Sequence, residues 1–279
     1  MTYKKEIVKH NTALSPRLGG RGAVRAKKSL GQHFLKDEHI AQTIVESLTL
    51  LGNYKQVLEV GPGMGVLTQF LFQNKAYTTT LIELDKESIV HLQKRFPDHV
   101  SQIIEGDFLR VNLKRLFTEP FAIIGNFPYN ISSQILFSVL DYKEMIPEVV
   151  GMFQKEVGVR IASAPGNKDY GILSVFMQAF YDIELLFLLD EKDFSPPPTV
   201  KSAVLRFIRK ENQKLDCDEK LFRTVVKTAF NQRRKTLRNA LSPLIDKSKG
   251  LNIPYLDKRA ETLSWQQYVE LTKIFEKQQ

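Results

Sequence analysis

Phe121-Ala122-Ile123-Ile124-Gly125-Asn126-Phe127-Pro128-Tyr129 is the stretch from which the fold of this chain is read. Its first five residues form a short run without polar interruption, the pattern of a strand buried on both faces of a parallel sheet. Asn126 to Tyr129 then sit at that strand's carboxyl end, where open α/β sheets bind ligands. An Asn, an aromatic residue and a Pro on a tight turn can grip a flat ring that carries an exocyclic amine. The Asn126 side-chain oxygen and a backbone carbonyl accept the two N–H groups, and Tyr129 stacks on the ring. Asn and Pro are also common turn residues, so the tetrapeptide alone leaves a plain strand-ending turn just as open.

Outward from this stretch the chain alternates. Strands are predicted over 56–60, 78–84, 100–105, 121–125 and 149–153, and helices over 65–73, 86–95, 131–140 and from about 155. An earlier helix starts at Asp37, a plausible N-cap, with Ile40, Ile44, Val45 and Leu48 at helical spacing. Such alternation predicts a doubly wound, mostly parallel α/β sheet. A helix over 171–181, a strand over 184–189, the rigid connector Ser195-Pro196-Pro197-Pro198 and a last strand over 202–209 follow. Beyond residue 212 the pattern is helical only. The expected organisation is a flexible basic arm over 1–28, an α/β domain over 29–210 and a small all-helical domain over 211–279.

Three further loops belong with the opening stretch. The first strand ends in Glu59-Val60-Gly61-Pro62-Gly63-Met64-Gly65, where glycines let the backbone turn sharply and approach a ligand. The next ends in Glu83-Leu84-Asp85, and a carboxylate at Glu83 can accept both hydroxyls of a ribose. The third runs to Gly106-Asp107, where a carboxylate can accept an adenine amine. Singly, Glu83 and Asp107 read equally well as helix caps or surface acids. In order, the four loops discriminate. A dinucleotide dehydrogenase needs the first two and has no use for Asn126-Phe127-Pro128-Tyr129. A methyltransferase that uses S-adenosylmethionine (SAM) and acts on an amine uses all four.

Composition narrows the classes further. At 279 residues, 43% hydrophobic and 25% charged, the chain is an ordinary globular one. A single cysteine, Cys217, excludes a disulfide framework and a CxxC redox or zinc motif. No His/Cys cluster suggests a metal. The apolar stretch from Ile183 to Leu189 is too short to cross a bilayer, so no membrane is expected. Met1-Thr2-Tyr3-Lys4-Lys5 lacks the apolar core of a secretory signal. A basic start with Glu6 as its one acid before residue 37 leaves an organellar transit peptide as the alternative to the expected cytoplasm. The net charge of +9 is concentrated in residues 1–36 and 201–250, which flank an acidic body. Paired basic segments favour a polyanionic partner such as nucleic acid, against solvated charged surfaces.

From about Lys27 onward the chain resembles the KsgA (RsmA) family of ribosomal RNA small-subunit adenine-N6,N6-dimethyltransferases. The residues that carry the likeness are Gly31-Gln32-His33-Phe34-Leu35, Glu59-Val60-Gly61-Pro62-Gly63, Glu83, Asp107, Asn126-Phe127-Pro128-Tyr129 and Phe194-Ser195-Pro196-Pro197-Pro198. To these is added the highly specific run Phe230-Asn231-Gln232-Arg233-Arg234-Lys235-Thr236-Leu237-Arg238-Asn239. The resemblance implies a Rossmann-like SAM-methyltransferase domain followed by a helical RNA-binding domain. It implies SAM as methyl donor, without a metal, held by His33, Leu35, Gly61, Gly63, Glu83, Asp107 and Asn126. It implies catalysis by Asn126, Pro128 and Tyr129, with Phe194 stacking on the second face of the base. The substrate it implies is a pair of adjacent adenosines in a hairpin loop near the 3′ end of small-subunit (16S) ribosomal RNA, methylated during assembly of the immature small subunit.

Arg233, Arg234, Lys235 and Arg238, extended by Arg223 and Lys227, are the expected phosphate contacts. Two departures from the family pattern stand out: His33 replaces an Asn and Phe127 a Leu. A monomer is the default expectation. The alternatives are a large-subunit methyltransferase of the macrolide-resistance type, a non-catalytic ribosome-assembly factor or organellar transcription factor of the same descent, and a DNA adenine methyltransferase.

Overall fold

The computed structural model describes Val24, residues 26–250 and residues 252–277. The basic arm expected over 1–28 lies almost wholly outside the described residues. Phe34–Leu35 (β1) precedes Glu38–Glu46 (α1), whose N-cap is Asp37: its carboxylate accepts from the His39 and Ile40 amides. Gln56–Val60 (β2), Thr68–Gln73 (α2), Thr78–Glu83 (β3), Lys86–Arg95 (α3), Ile103–Glu105 (β4), Leu113–Leu116 (α4), Phe121–Asn126 (β5), Ser132–Asp141 (α5), Glu148–Gln154 (β6) and Lys155–Ala162 (α6) continue the alternation. Next come Ile172–Phe180 (α7), Tyr181–Leu189 (β7), Phe194–Ser195 (β8) and Ser202–Arg209 (β9). Glu219–Asn231 (α8), Leu237–Ala240 (α9) and Trp265–Glu276 (α10) follow them.

Among the described residues, seven strands form one sheet in the order β4-β3-β2-β5-β6-β9-β7. Pairing from β4 through β6 is parallel, and β9 runs antiparallel to β6. From β2 the chain builds outward to β3 and β4, then returns to place β5 on the other side. The carboxyl ends of β2 and β5 therefore flank the point where strand order reverses, and a crevice opens there. Phe121 to Gly125 are all buried, as a central strand covered on both faces requires. No helix among the described residues is long and apolar enough to cross a membrane.

Four differences from expectation bear on the site and its domain; two have local causes and two arise from contacts between residues far apart in the chain. The helix expected from Gly65 begins at Thr68, because Gly61, Gly63 and Gly65 hold left-handed φ values of 68°, 54° and 75°. The strand expected from Val100 begins at Ile103, because Pro97, with its preset φ, starts a 3-10 turn over Pro97–Gln102. The connector expected from Ser195 contributes its first residue to a strand: β8 pairs antiparallel with β1, setting Phe34 opposite Ser195 and Leu35 opposite Phe194.

The fourth is the domain division. The chain forms two compact units, the described residues through Gly158 with Glu184–Arg209, and Val159–Ile183 with Lys210–Gln279. The sequence boundary at 210/211 falls one residue from the observed break. Residues 159–183, expected in the α/β domain, instead belong to the helical unit. Their apolar face explains it: Phe176 packs on Phe222 of α8, with ring centroids 6.0 Å apart.

Candidate active site

The crevice at the ends of β2 and β5 is a cavity of about 210 Å³. All four loops singled out from the sequence meet in it: Gly61 and Gly63, Glu83, Asp107, and Asn126 to Tyr129 line its wall. A fifth segment, Leu30 to Phe34, joins them.

Gly61 and Gly63 are glycines for different reasons. At Gly61 the left-handed φ is the constraint, since a Cβ would find Pro128 no nearer than 3.8 Å. At Gly63 a Cβ would also stand 2.7 Å from the Phe34 ring, so close packing adds to the φ. Gly125 leaves no room either: a Cβ there would lie 2.6 Å from the Val60 carbonyl oxygen. That close approach of β5 to β2 sets Asn126 beside the glycine loop.

Glu83 is 5% exposed. One carboxylate oxygen accepts from Gly63 N–H at 2.9 Å and the other from Leu84 and Asp85 N–H, both at 2.9 Å. Burial raises its pKa above the ordinary value, against the lowering effect of these three backbone donors. An ionised carboxylate offers about four acceptor directions, so three backbone bonds leave one for a hydroxyl. Glu59, one strand away and fully buried, is pushed up to about 8 by burial, opposed by a bond from Thr68 and reinforced by the charge of Glu83. Asp107 caps its own turn through Leu109 N–H at 3.0 Å and pairs with Arg110 at 3.3 Å. Arg110 is 88% exposed, so this pair is weak and displaceable.

At the head of β5, Asn126 Nδ2 donates to the His33 carbonyl at 2.7 Å. This commits the amide nitrogen and presents Oδ1 as the acceptor. The Pro128 carbonyl accepts from Ile131 N–H at 3.1 Å and keeps a second lone pair. The Tyr129 hydroxyl meets Ser202 Oγ at 2.5 Å, which anchors the hydroxyl end of the ring. Burial raises the Tyr129 pKa, against the lowering effect of Ser202, so the phenol is neutral at physiological pH. His33 stacks beside it, with centroids 5.5 Å apart and planes 28° off parallel. The His33 ring is held in turn by the Pro196 carbonyl at 2.8 Å; a carbonyl only accepts, so Nδ1 carries the proton.

Two expected site residues lie elsewhere. Leu35 and Phe194 are 2% and 1% exposed, and both belong to the hydrophobic core with Ile44, Val57 and Leu71. Strand alternation is the cause: in β1, Phe34 lines the cavity, so Leu35 points away from it. Phe194, paired opposite Leu35, is carried into the same core and offers no exposed face to a base. The ring beside Tyr129 is that of His33. Missed from the sequence were Phe34, Leu84 and Phe108, the apolar neighbours of Gly31-Gln32-His33, Glu83 and Asp107. Adjacency to those residues was the available signal.

Residues 23–277 match the family described as ribosomal RNA adenine dimethylase. The chain belongs to that family. It is 58% identical over 251 residues to the ribosomal RNA small subunit methyltransferase A of Cytophaga hutchinsonii, which covers 90% of this chain and 97% of the relative. It is 56% identical over 255 residues to the protein of the same name from Parabacteroides distasonis, covering 91% and 95%. Among solved structures, a dimethyladenosine transferase from Plasmodium falciparum superposes with a TM-score of 0.72 at 23% identity, covering 88% of this chain and 98% of that one. The 23S rRNA methyltransferase ErmE gives 0.66 at 23%, covering 87% and 99%. At such identities the structural likeness speaks for the fold alone.

The four expected phosphate contacts of this chain are not equivalent. Arg234, Lys235 and Arg238 are exposed on the turn after α8 and on α9. Arg233 is engaged: its guanidinium donates to the Lys168 carbonyl and pairs with Glu261 at 3.7 Å. The turn itself is stitched down, since Leu237 and Arg238 N–H donate to the Lys258 and Leu256 carbonyls at 2.7 and 2.8 Å.

Proposed function

We propose that this chain transfers methyl groups from SAM to the N6 amines of two adjacent adenosines in a hairpin loop near the 3′ end of small-subunit ribosomal RNA, acting on the immature subunit. The observation that carries the proposal is the orientation of Asn126, its oxygen presented as acceptor in the same cavity as the glycine loop, Glu83 and Asp107. Gly61 and Gly63 would admit the cofactor's backbone-facing side, Glu83 its ribose and Asp107 its adenine amine. When bound, SAM supplies a methyl group already activated by its sulfonium.

The chain's own task is then alignment more than proton abstraction. An adenine amine is a poor nucleophile because its lone pair is delocalised into the ring. Asn126 Oδ1 and the Pro128 carbonyl accept its two hydrogens, which favours a pyramidal nitrogen with its lone pair turned outward. Tyr129, locked by Ser202, supplies a stacking face. The base must leave its stack to reach this cavity.

Small-subunit specificity is supported by the small-subunit methyltransferases to which this chain is more than half identical along nearly its whole length. Action on the large subunit has only the distant likeness to ErmE behind it. A monomer working in the cytoplasm completes the proposal. Incubation with labelled SAM and unmethylated small subunits, large subunits or DNA tests it. Label in two adjacent adenosines of the small subunit alone is expected; label in large subunits or DNA, or in none, contradicts it.

A further inference from the structure

Residues 27–33 cross the rim of the cavity, and what holds them there is almost entirely polar. Lys28–Leu30 make one 3-10 turn with no buried residue. Gly31 then takes a left-handed φ of 63°, where a Cβ would stand 2.6 Å from Asn130 Oδ1. The segment is pinned at both ends. At its far end, the His33 carbonyl accepts from Asn126 and its ring bonds the Pro196 carbonyl.

At its near end, Lys27 Nζ donates to one Asp85 oxygen at 2.5 Å and lies 3.0 Å from Glu87. Gln32 Nε2 reaches the other Asp85 oxygen at 3.5 Å, and Gln32 Oε1 accepts from Lys27 N–H at 2.8 Å. Asp85 is itself rigidly mounted. It is 4% exposed, caps α3 through Glu87 N–H at 3.3 Å and Ser88 Oγ at 3.1 Å, and follows Glu83 by two residues. Burial alone would raise its pKa, but the bonds from Lys27, Ser88 and Gln32 outweigh that and hold the carboxyl below its ordinary value.

We propose that residues 27–33 are a strap hinged at Gly31 that closes over the cavity, and that Asp85 is its latch, a positioning residue that retains the methyl donor without touching it. The proposal rests on the reading of the cavity as the SAM site. Because no apolar side chain of the strap is fully buried between its pins, Leu30 being only half-buried at the cavity wall, the latch contributes much of what keeps it closed. Losing the latch therefore speeds escape of SAM more than it slows entry.

The test uses Asp85→Asn and Lys27→Met in the full chain. Asn caps a helix as well as Asp, so Asp85→Asn removes the charge and keeps the α3 cap. Lys27→Met removes the ammonium from a partly exposed site and leaves α3 untouched. The SAM dissociation rate is read by stopped-flow displacement, and strap closure by hydrogen exchange of residues 28–33 with and without SAM. Each variant is expected to raise the dissociation rate on the order of tenfold, with the double variant no worse than either single, as for two members of one contact. SAM-dependent protection of the strap amides is lost with it, and in turnover the change falls on KM for SAM more than on kcat. Unchanged dissociation in both variants, or effects that add independently, overturns the latch alone. A wild-type chain that does not bind SAM overturns the cofactor reading and the latch together.

Discussion

Asn126 Nδ2 donates to the His33 carbonyl at 2.7 Å, and this one bond decides which way the amide faces. Asn126→Asp keeps an acceptor oxygen but replaces the donor with a second one, setting a carboxylate against the His33 carbonyl. It is expected to weaken SAM binding as well as methyl transfer, each by about 1–3 kcal/mol, the cost of leaving a buried polar group unsatisfied. Calorimetric titration of SAM and single-turnover rates check this; loss of transfer with unchanged SAM affinity would show that the His33 contact is incidental.

Glu59 makes stability depend on pH. Its carboxyl titrates at 4.5 in an ordinary setting and at about 8 in this fold. Between those values the folded chain keeps a proton that the unfolded chain has released. Stability therefore falls as pH rises through that window, by at most about 1.4 kcal/mol per pH unit, and levels off above it. Glu59→Gln removes this dependence. Urea unfolding at pH 5, 6.5 and 8 should show the variant gaining on wild type at each step. Parallel profiles would mean that Glu59 is ionised in the fold.

Phe127 stands where the family pattern has Leu, and the structure shows what accommodates it. A Cβ on Gly151 would lie 2.3 Å from Phe127 Cε2, and one on Gly125 2.9 Å from Cε1. Gly151→Ala is expected to overpack the site and cost about 1–3 kcal/mol. In a Phe127→Leu background the same change should cost clearly less, although the Phe153 ring, 3.0 Å from that Cβ, keeps some strain. Chemical denaturation of the four proteins in this cycle measures the coupling. An equal cost in both backgrounds contradicts the account.

The basic turn after α8 should divide into two kinds of arginine. Arg234→Ala and Arg238→Ala are each expected to reduce the salt slope of RNA binding by about 1 and leave stability within about 0.5 kcal/mol. Arg233→Ala should instead lower the Tm, because it frees the Lys168 carbonyl and leaves Glu261 unpaired. Titrations of a hairpin RNA over a range of KCl concentrations, beside thermal melts, separate the two. A slope change at Arg233 equal to that at Arg234 would return Arg233 to the phosphate contacts.

The part of the fold that makes the cavity was legible because its signals are local. Phe121 to Gly125 announce a buried strand by composition, and Gly61 and Gly63 announce a turn by lacking side chains. The four loops converge because parallel strands put all their carboxyl ends on one edge. What escaped depends on contacts between distant residues. β1 and β8 are two residues each, too short for any periodicity, and they pair across about 160 positions. Without that pairing, nothing marks Leu35 and Phe194 as core and not lining. Likewise, the tie from Arg233 to Lys168 and the attachment of residues 159–183 to the helical unit leave no trace in local pattern.

The central claim is that Asn126 presents the adenine amine for methylation. Single-turnover methyl transfer to unmethylated small subunits, compared between wild type and Asn126→Ala at saturating SAM, tests it most directly. The account predicts a loss on the order of 2–4 kcal/mol, roughly thirty- to a thousandfold in rate, comparable to removing one positioned hydrogen-bonding group from an active site. Transfer by the variant within tenfold of wild type would contradict it.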